Sequence, residues 1–204
     1  MQATLPHPST SDPSTTLQQY RTVTARCKDL FLRKTSDYGT SWRVLRPVSI
    51  VDQIYIKAWR IRQIQEGVVP QVEDSVESEF VGIVNYGILA LVQAALPADA
   101  EIDLSTEEAR TLYEAQAASV EALMLQKNND YGEAWREMCQ ESFVDLILTK
   151  LLRIKQIIAN KGQTEVSEGA EANFADIVNY GVFALIKSAE AQEQGRSQKQ
   201  AHAL

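Results

Sequence analysis

Apolar residues recur at three- and four-residue steps along most of this chain, a spacing that predicts amphipathic helices. No stretch alternates apolar and polar residues for long enough to suggest a strand. The pattern predicts three helices and then three more, at about 14–34, 48–66 and 72–95, and at about 106–127, 142–160 and 165–190. The chain is therefore expected to be all-α.

The second half of the chain repeats the first. Residues 34–43, KTSDYGTSWR, return 93 positions later as residues 127–136, KNNDYGEAWR, and 15 of the 31 positions from 34 to 64 are identical at this offset. After one extra residue, FVGIVNYG at 80–87 pairs with FADIVNYG at 174–181. Each copy reads as helix, short connection with Asp-Tyr-Gly, helix, loop and helix. Two such units would bury their apolar faces against each other in a helical bundle with internal pseudo-twofold symmetry.

Several local features define the predicted limits of the two copies. Ser105 with Glu108 forms a capping box at the start of the second copy. Glycines follow both middle helices, where they can take a left-handed conformation, and Gly87 and Gly181 allow the last helices to approach closely. The predicted organisation is a disordered segment at 1–13, helical repeats at 14–96 and 105–190, and a disordered tail at 191–204.

Composition narrows the function. The 20 basic and 27 acidic residues give a net charge of −7, which argues against binding to a nucleic acid polymer. Cys27 and Cys139 lack any paired spacing and are interpreted as buried or free thiols. The amino terminus has neither a basic start nor an apolar run, so secretion and membrane spanning are not expected and the protein is predicted to be cytoplasmic.

Polar residues shared by the two copies are the candidates for chemistry. Each middle helix carries an acid followed by a lysine and an arginine on one face, and each last helix combines acids with Asn-Tyr. A carboxylate cluster beside fixed cations could bind Mg²⁺, activate water and neutralise phosphates, as hydrolysis of a nucleoside triphosphate requires. The aromatic residues of Asp-Tyr-Gly-x-x-Trp could stack on a base. With His7 and His202 near the chain ends, a general base would have to be a carboxylate acting on metal-bound water.

Structural roles compete with each of these hypotheses. Acids in the first turn of a helix favour the helix dipole in any protein. Trp42 and Trp135 suit a core better than a stacking platform because large aromatics dominate helix packing. The repeated charges could also form ion pairs between the copies.

The repeated motifs resemble a known family. Lys-x-x-Asp-Tyr-Gly-x-x-Trp, then Asp-x4-Lys-x-x-Arg-Ile, then Ile-Val-Asn-Tyr, each seen twice, are similar to the nucleotide modification associated domain family, type 1, in its tandem form. The resemblance covers 16–190. More distantly, the segment 127–132 and the acids that follow resemble all-α nucleoside triphosphate pyrophosphohydrolases of the MazG type. Those enzymes hold Mg²⁺ with carboxylates on two helices and release pyrophosphate.

The resemblance implies a site that processes or binds a nucleotide or modified nucleotide. Gly82 stands where the second copy has Asp176, so the second copy is predicted to be the active one, in a protein that could also form a homo-oligomer. Catalysis is assigned to Asp145, Glu171 and Asp176, and Mg²⁺ to Asp145, Glu168, Glu171 and Asp176. Nucleotide binding is assigned to Lys127, Asp130, Tyr131, Trp135, Lys150, Arg153, Asn179 and Tyr180, together with Lys57 and Arg60. The alternatives are a non-catalytic module that binds a nucleotide or a partner protein, and a purely structural role for the repeated residues.

Overall fold

The computed structural model describes residues 13–71, 73–97, 99–164 and 168–201. Over these ranges the chain is all-α, as predicted, and it contains no strand. The helices are α1 Pro13–Tyr38, α2 Pro47–Gln65, α3 Val76–Ala95, α4 Thr106–Tyr131, α5 Gln140–Ala159 and α6 Ala170–Ala201. Short 3-10 helices at Ser41–Val44 and Ala134–Glu137 follow α1 and α4, so both copies have the same order of elements.

The core forms where the last helices of the two copies, α3 and α6, pack together, while α2 packs on α3, α5 on α6, and α2 on α5. The predicted close approach is confirmed. A Cβ atom added at Gly87 would lie 2.6 Å from Cγ2 of Val178, and one added at Gly181 would lie 2.9 Å from Cγ2 of Val84. These two contacts are related by the repeat, which is the expected result of pseudo-twofold packing. The predicted core stripes of the last helices are buried, at Phe80, Val84, Leu91, Phe174, Val178 and Leu185.

The first helix of each copy crosses over to the last helix of the other copy. The hydroxyl of Tyr20 on α1 donates to Oδ1 of Asn179 on α6 at 2.8 Å. The repeat-related hydroxyl of Tyr113 on α4 donates to Oδ1 of Asn85 on α3 at 2.7 Å. Both tyrosines are buried, so each hydrogen bond satisfies polar groups that would otherwise be costly in the core. The two copies therefore share one core.

Helix ends differ from the predicted ones in both copies. α1 and α4 run through the Asp-Tyr pairs that were predicted to lie in a connection, and they end only at Gly39 and Gly132, whose φ values are 62° and 58°. Polar residues continue a helix on its exposed face, whereas the left-handed glycine ends it. The predicted capping box at Ser105 and Glu108 is present.

The last helices begin later than predicted, so most of the acids assigned to their first turns precede them. α3 starts after Ser75, whose side chain accepts a hydrogen bond from the backbone N–H of Ser78. This cap leaves Glu73 and Asp74 outside the helix, and Glu168 likewise lies before α6. Glu165 lies outside the described residues.

The carboxyl end of the chain is also more helical than predicted. Composition predicted a disordered tail from residue 191, but α6 continues to Ala201. Residues 202–204 lie outside the described residues, as do residues 1–12 of the segment 1–13 that was predicted to be disordered, and α1 begins at Pro13. The sequence from 191 to 201 has few apolar residues but many good helix formers, and it extends a helix whose earlier turns are already packed.

Among the described residues, one helix, α3, is long and apolar enough to cross a membrane by length and composition alone. An 18-residue window of this helix is 67% buried within the protein, and core helices pass the same test. It therefore carries little weight as evidence for a membrane span.

The two cysteines are free, as predicted, and they differ in environment. Cys27 is fully buried, and this burial raises the pKa of its thiol to about 12. Cys139 is exposed just before α5. We expect a thiol reagent at pH 8 to modify Cys139 quickly and Cys27 only after denaturation, because the thiolate is the reactive form. Mass spectrometry of the labelled peptides measures this, and equal rates for the two thiols in the native protein would contradict the burial of Cys27.

Candidate functional site

Copy one contains a cleft of about 610 Å³ between the second half of α1, the first 3-10 helix, α2 and α3. Its volume falls within the range of roughly 300–1,000 Å³ that small-molecule sites occupy. The aromatic residues that line the cleft are Phe31, Tyr38, Trp42 and Tyr86. Its polar and charged lining includes Lys34, Thr35, Ser41, Lys57, Asp74, Ser78, Glu79 and Asn85. Aromatic faces and a few polar groups are thus combined in one concave surface.

A buried carboxylate lies in the wall of this cleft. Glu79 is only 6% exposed, and its two oxygens bind Nζ of Lys57 at 2.9 Å and Nη1 of Arg60 at 2.6 Å. Lys57 reaches Glu79 by running over Gly82, where an added Cβ would lie 2.7 Å from Cε of the lysine. The ion pairs neutralise the carboxylate. Lys34, at the rim of the cleft, is exposed and forms no ion pair with any residue in the described ranges.

The floor of the cleft is supported by the other copy. Phe31 stacks on Tyr113 of copy two, with ring centroids 4.7 Å apart. Asn85 accepts the hydrogen bond from that same tyrosine and donates through Nδ2 to the backbone oxygen of Cys27 at 3.0 Å. These contacts hold the cleft walls in place.

The corresponding region of copy two is bridged by ion pairs. Asp176, at the position of Gly82, is 6% exposed and binds Nζ of Lys127 and Nζ of Lys150, each at 2.5 Å. Because Lys127 lies on α4, Lys150 on α5 and Asp176 on α6, the carboxylate joins three helices. Desolvation works to lower the pKa of Lys127, but the hydrogen bond and charge of Asp176 outweigh it, so the pKa is raised overall. Burial and the charge of Asp176 also raise the pKa of the neighbouring Tyr180.

The tryptophan of copy two, Trp135, is buried by neighbouring side chains. Trp135 is 6% exposed and stacks on Phe183 with ring centroids 4.3 Å apart and planes 6° apart. The guanidinium of Arg136 lies 4.4 Å from the Trp135 ring centroid. The position of Phe183 is taken by Leu89 in copy one, where Trp42 is only partly buried. Trp135 therefore packs in the core, as the structural alternative predicted, and its assignment to base stacking stays a prediction that no open ring face supports.

The predicted metal site is not assembled. Asp145, Glu168, Glu171 and Asp176 are all described, yet no group of three or more His, Cys, Asp or Glu side chains within the described ranges could hold a metal ion. Asp145 is exposed, and its nearest cation is Arg62 of copy one, whose Nη1 lies 3.6 Å from Oδ1. Its repeat counterpart Asp52 pairs with Lys155 of copy two at 2.8 Å. These aspartates lie at the seam between α2 and α5, which explains their repetition without any catalytic role.

Other predicted nucleotide-binding residues are scattered. Asn179 is buried and accepts the hydrogen bond from Tyr20, while Asp130 and Tyr131 are exposed at the end of α4. Lys150 and Arg153 line a wide depression, of about 1,580 Å³, beside the loop that leads to α6. Part of that loop, 165–167, lies outside the described residues, and no site is assigned to the depression. The structure brings together Lys127, Lys150 and Asp176, and it places Lys57 with Arg60 on Glu79 in copy one.

Sequence reasoning missed Glu79 and the hydrogen bonds that the two buried tyrosines donate to the other copy. Tyr20 and Tyr113 are separated by the repeat offset of 93, so comparison of the copies could have found them. Glu79 has Asn173 as its counterpart, and Asn173 is buried and donates to the backbone oxygen of Gly169 at 2.9 Å. The buried carboxylate of copy two, Asp176, therefore lies one helical turn after the position that corresponds to Glu79 in copy one. The sequence analysis noted only that copy one has Gly82 where copy two has Asp176.

Comparison with known proteins identifies one family. The family model described as nucleotide modification associated domain 1 matches the chain twice, at residues 34–94 and 127–187. These matches cover more than half of the chain, and one match lies within each of the two copies. No curated protein and no solved structure matches the chain.

Proposed function

Because the chain belongs to the nucleotide modification associated domain 1 family, we propose that it is a nucleotide-binding module whose ligand occupies the cleft of copy one. The observation that carries this proposal is the cleft itself, in which Tyr38, Trp42 and Tyr86 share a concave surface with Lys34. The family name suggests a link to nucleotide modification, and the chemistry of the cleft suits a base with a nearby phosphate.

The aromatic side chains supply the contact with the base. Stacking of a base on an aromatic ring contributes about 1–3 kcal/mol and requires no particular base. Trp42 is partly buried and Tyr38 is 69% exposed at the rim, so both can meet a ligand that enters from solvent. A nucleoside is thus the class of molecule that this surface fits.

Lys34 supplies the contact with a phosphate. A lysine ammonium is a point charge that commonly binds phosphate oxygens. Lys57 and Arg60 share the single carboxylate of Glu79, and Lys34 is the cation of the cleft that has no acidic partner in the described part of the chain. One unpaired cation suits a monophosphate better than a triphosphate.

The arrangement supports binding without metal-dependent hydrolysis. Magnesium needs carboxylates that are free to coordinate it, whereas the buried carboxylates Glu79 and Asp176 are each held by two cations. The four acids assigned to Mg²⁺ do not converge. The pyrophosphohydrolase hypothesis therefore stays a prediction with no metal site in the described residues behind it.

Matched variants of the two copies test the proposal. We expect 2′-deoxynucleoside 5′-monophosphates to bind saturably in calorimetry, and we expect Tyr38→Ala to weaken binding roughly tenfold through lost stacking. The control is Tyr131→Ala, because Tyr131 ends α4 as Tyr38 ends α1 and is similarly exposed, at 72%, yet lies outside this cleft. Lys34→Gln should weaken the binding of the monophosphates and leave the affinity for the corresponding nucleosides unchanged.

Other outcomes would contradict the proposal. Absence of saturable binding for every monophosphate would remove it, and a loss on Tyr131→Ala alone would move the site to copy two. Binding should also survive a chelator. Pyrophosphate release from a deoxynucleoside triphosphate with Mg²⁺, abolished by Asp176→Ala, would restore the hydrolysis hypothesis.

A further inference from the structure

The two copies carry the same framework for a ligand site but differ at three positions that control access to it. These positions are 79, 82 and 89 in copy one and their counterparts 173, 176 and 183 in copy two. Copy one has Glu79, Gly82 and Leu89, and copy two has Asn173, Asp176 and Phe183. Every one of these differences affects a contact described above.

The first difference is the position of the carboxylate. In copy one, Glu79 on α3 pairs with Lys57 and Arg60, both on α2, and Lys34 on α1 is left without an ion pair in the described residues. In copy two, the acid lies one turn later at Asp176 and captures Lys127, the counterpart of Lys34, together with Lys150. In copy two, the lysine that would bind a phosphate, Lys127, is therefore already ion-paired within the protein.

The second difference is the residue beside the tryptophan. Leu89 lines the cleft of copy one, and Trp42 remains accessible beside it. Phe183 instead lies parallel to Trp135 at 4.3 Å and covers the face on which a base would stack. The aromatic platform of copy two is thus occupied by a side chain of α6.

We propose that copy two contains a second site for the same class of nucleoside monophosphate, held closed by the Lys127–Asp176–Lys150 bridge and by the stacking of Phe183 on Trp135. This inference rests on the proposed function for its ligand class. It assigns selectivity between the two copies to the three positions above. The carboxylate at 176, which sequence comparison interpreted as a mark of the active copy, is on this account the group that closes it.

A reciprocal exchange of the three residues tests the inference. The opening variant combines Asn173→Glu, Asp176→Gly and Phe183→Leu. It gives Lys150 and Arg153 a carboxylate at the position that Glu79 has in copy one. With deoxyguanosine monophosphate as the probe in calorimetry, the number of bound molecules per chain should double. The closing variant combines Glu79→Asn, Gly82→Asp and Leu89→Phe, and it should abolish binding.

A second measurement does not depend on any ligand. Acetylation of surface amines, followed by mass spectrometry, should modify Lys34 faster than Lys127 in the unaltered chain, and the opening variant should raise the rate at Lys127 toward that of Lys34. Circular dichroism establishes that each variant is folded. If the opening variant is not folded, the closing variant still tests whether these three positions control access, and the labelling of the unaltered chain still tests the bridge.

The outcomes separate the two proposals. An unchanged stoichiometry in a folded opening variant, or undiminished binding in a folded closing variant, would overturn the closed second site while leaving nucleotide binding intact. If the unaltered chain binds no nucleotide, the proposed function fails, and the labelling rates alone then test the bridge. Equal labelling of Lys34 and Lys127 in the unaltered chain would overturn it.

Discussion

Replacing Lys150 with methionine is expected to lower the free energy of unfolding by about 3 kcal/mol, because it leaves a buried carboxylate without one of its two cations. The side chain of Asp176 is 7% exposed and that of Lys150 is 15% exposed, so neither charge is well solvated. The remaining partner, Lys127, is 44% exposed and offsets only part of the loss. Methionine keeps most of the lysine stem, which limits the change in packing. Urea unfolding followed by circular dichroism measures the effect.

The control for this prediction is Asp145→Ala. Asp145 was assigned to catalysis and Mg²⁺, but its side chain is 62% exposed and its ion pair with Arg62 is long, at 3.6 Å. Exposed pairs of this kind contribute about 0–1 kcal/mol, so the variant should unfold at nearly the same urea concentration as the parent. Equal losses for the two variants would show that the burial of Asp176 does not set the energetics of this region.

Adding one methyl group at Gly87 is expected to destabilise the protein by about 1–3 kcal/mol, the usual cost of overpacking a core. The new Cβ of Gly87→Ala would lie 2.6 Å from Cγ2 of Val178, on the facing helix α6. Val178 is β-branched and therefore has one strongly preferred rotamer in a helix, so it cannot turn aside at little cost. Thermal unfolding by calorimetry measures the loss.

The same substitution at Gly195 is the matched control. Gly195 also lies in a helix, α6, but an added Cβ there would meet nothing within 4 Å. Alanine is a better helix former than glycine by up to about 1 kcal/mol, so Gly195→Ala should be neutral or stabilising. Combining Gly87→Ala with Val178→Ala should cost less than the two single substitutions added together, since the contacting methyl is removed. Simple additivity would show that the two helices do not meet at this point.

Much of the fold could be predicted from the pattern of residues. Periodicity located all six helices and their buried stripes, because the apolar positions that face a core must repeat at the helical period. The repeat also identified Gly87 and Gly181 as contact points. Helix ends were less predictable, since Asp130 and Tyr131 are compatible with either a helix or a turn, and only the left-handed Gly132 ends α4.

The candidate site was predictable only in its parts. The sequence singled out Lys127, Lys150 and Asp176, which do meet, but it assigned them to phosphate and metal. It also grouped Asp145 with Asp176, although Asp145 lies at the seam between α2 and α5, where it pairs with copy one. Spacing along a helix specifies the face on which a side chain lies, but it does not specify which other helix covers that face.

The sequence by itself determined the all-α class, the duplication, the shared core residues and the family, because each depends on local periodicity or on similarity between aligned positions. Only the tertiary structure decided which copy has the open cleft. Glu79 and Asp176 both bind the lysine of the middle helix, Lys57 or Lys150, but the shift of one helical turn changes the second cation from Arg60 to Lys127. That choice depends on distances between helices. Such distances follow from how six helices pack together, and no single helix encodes them.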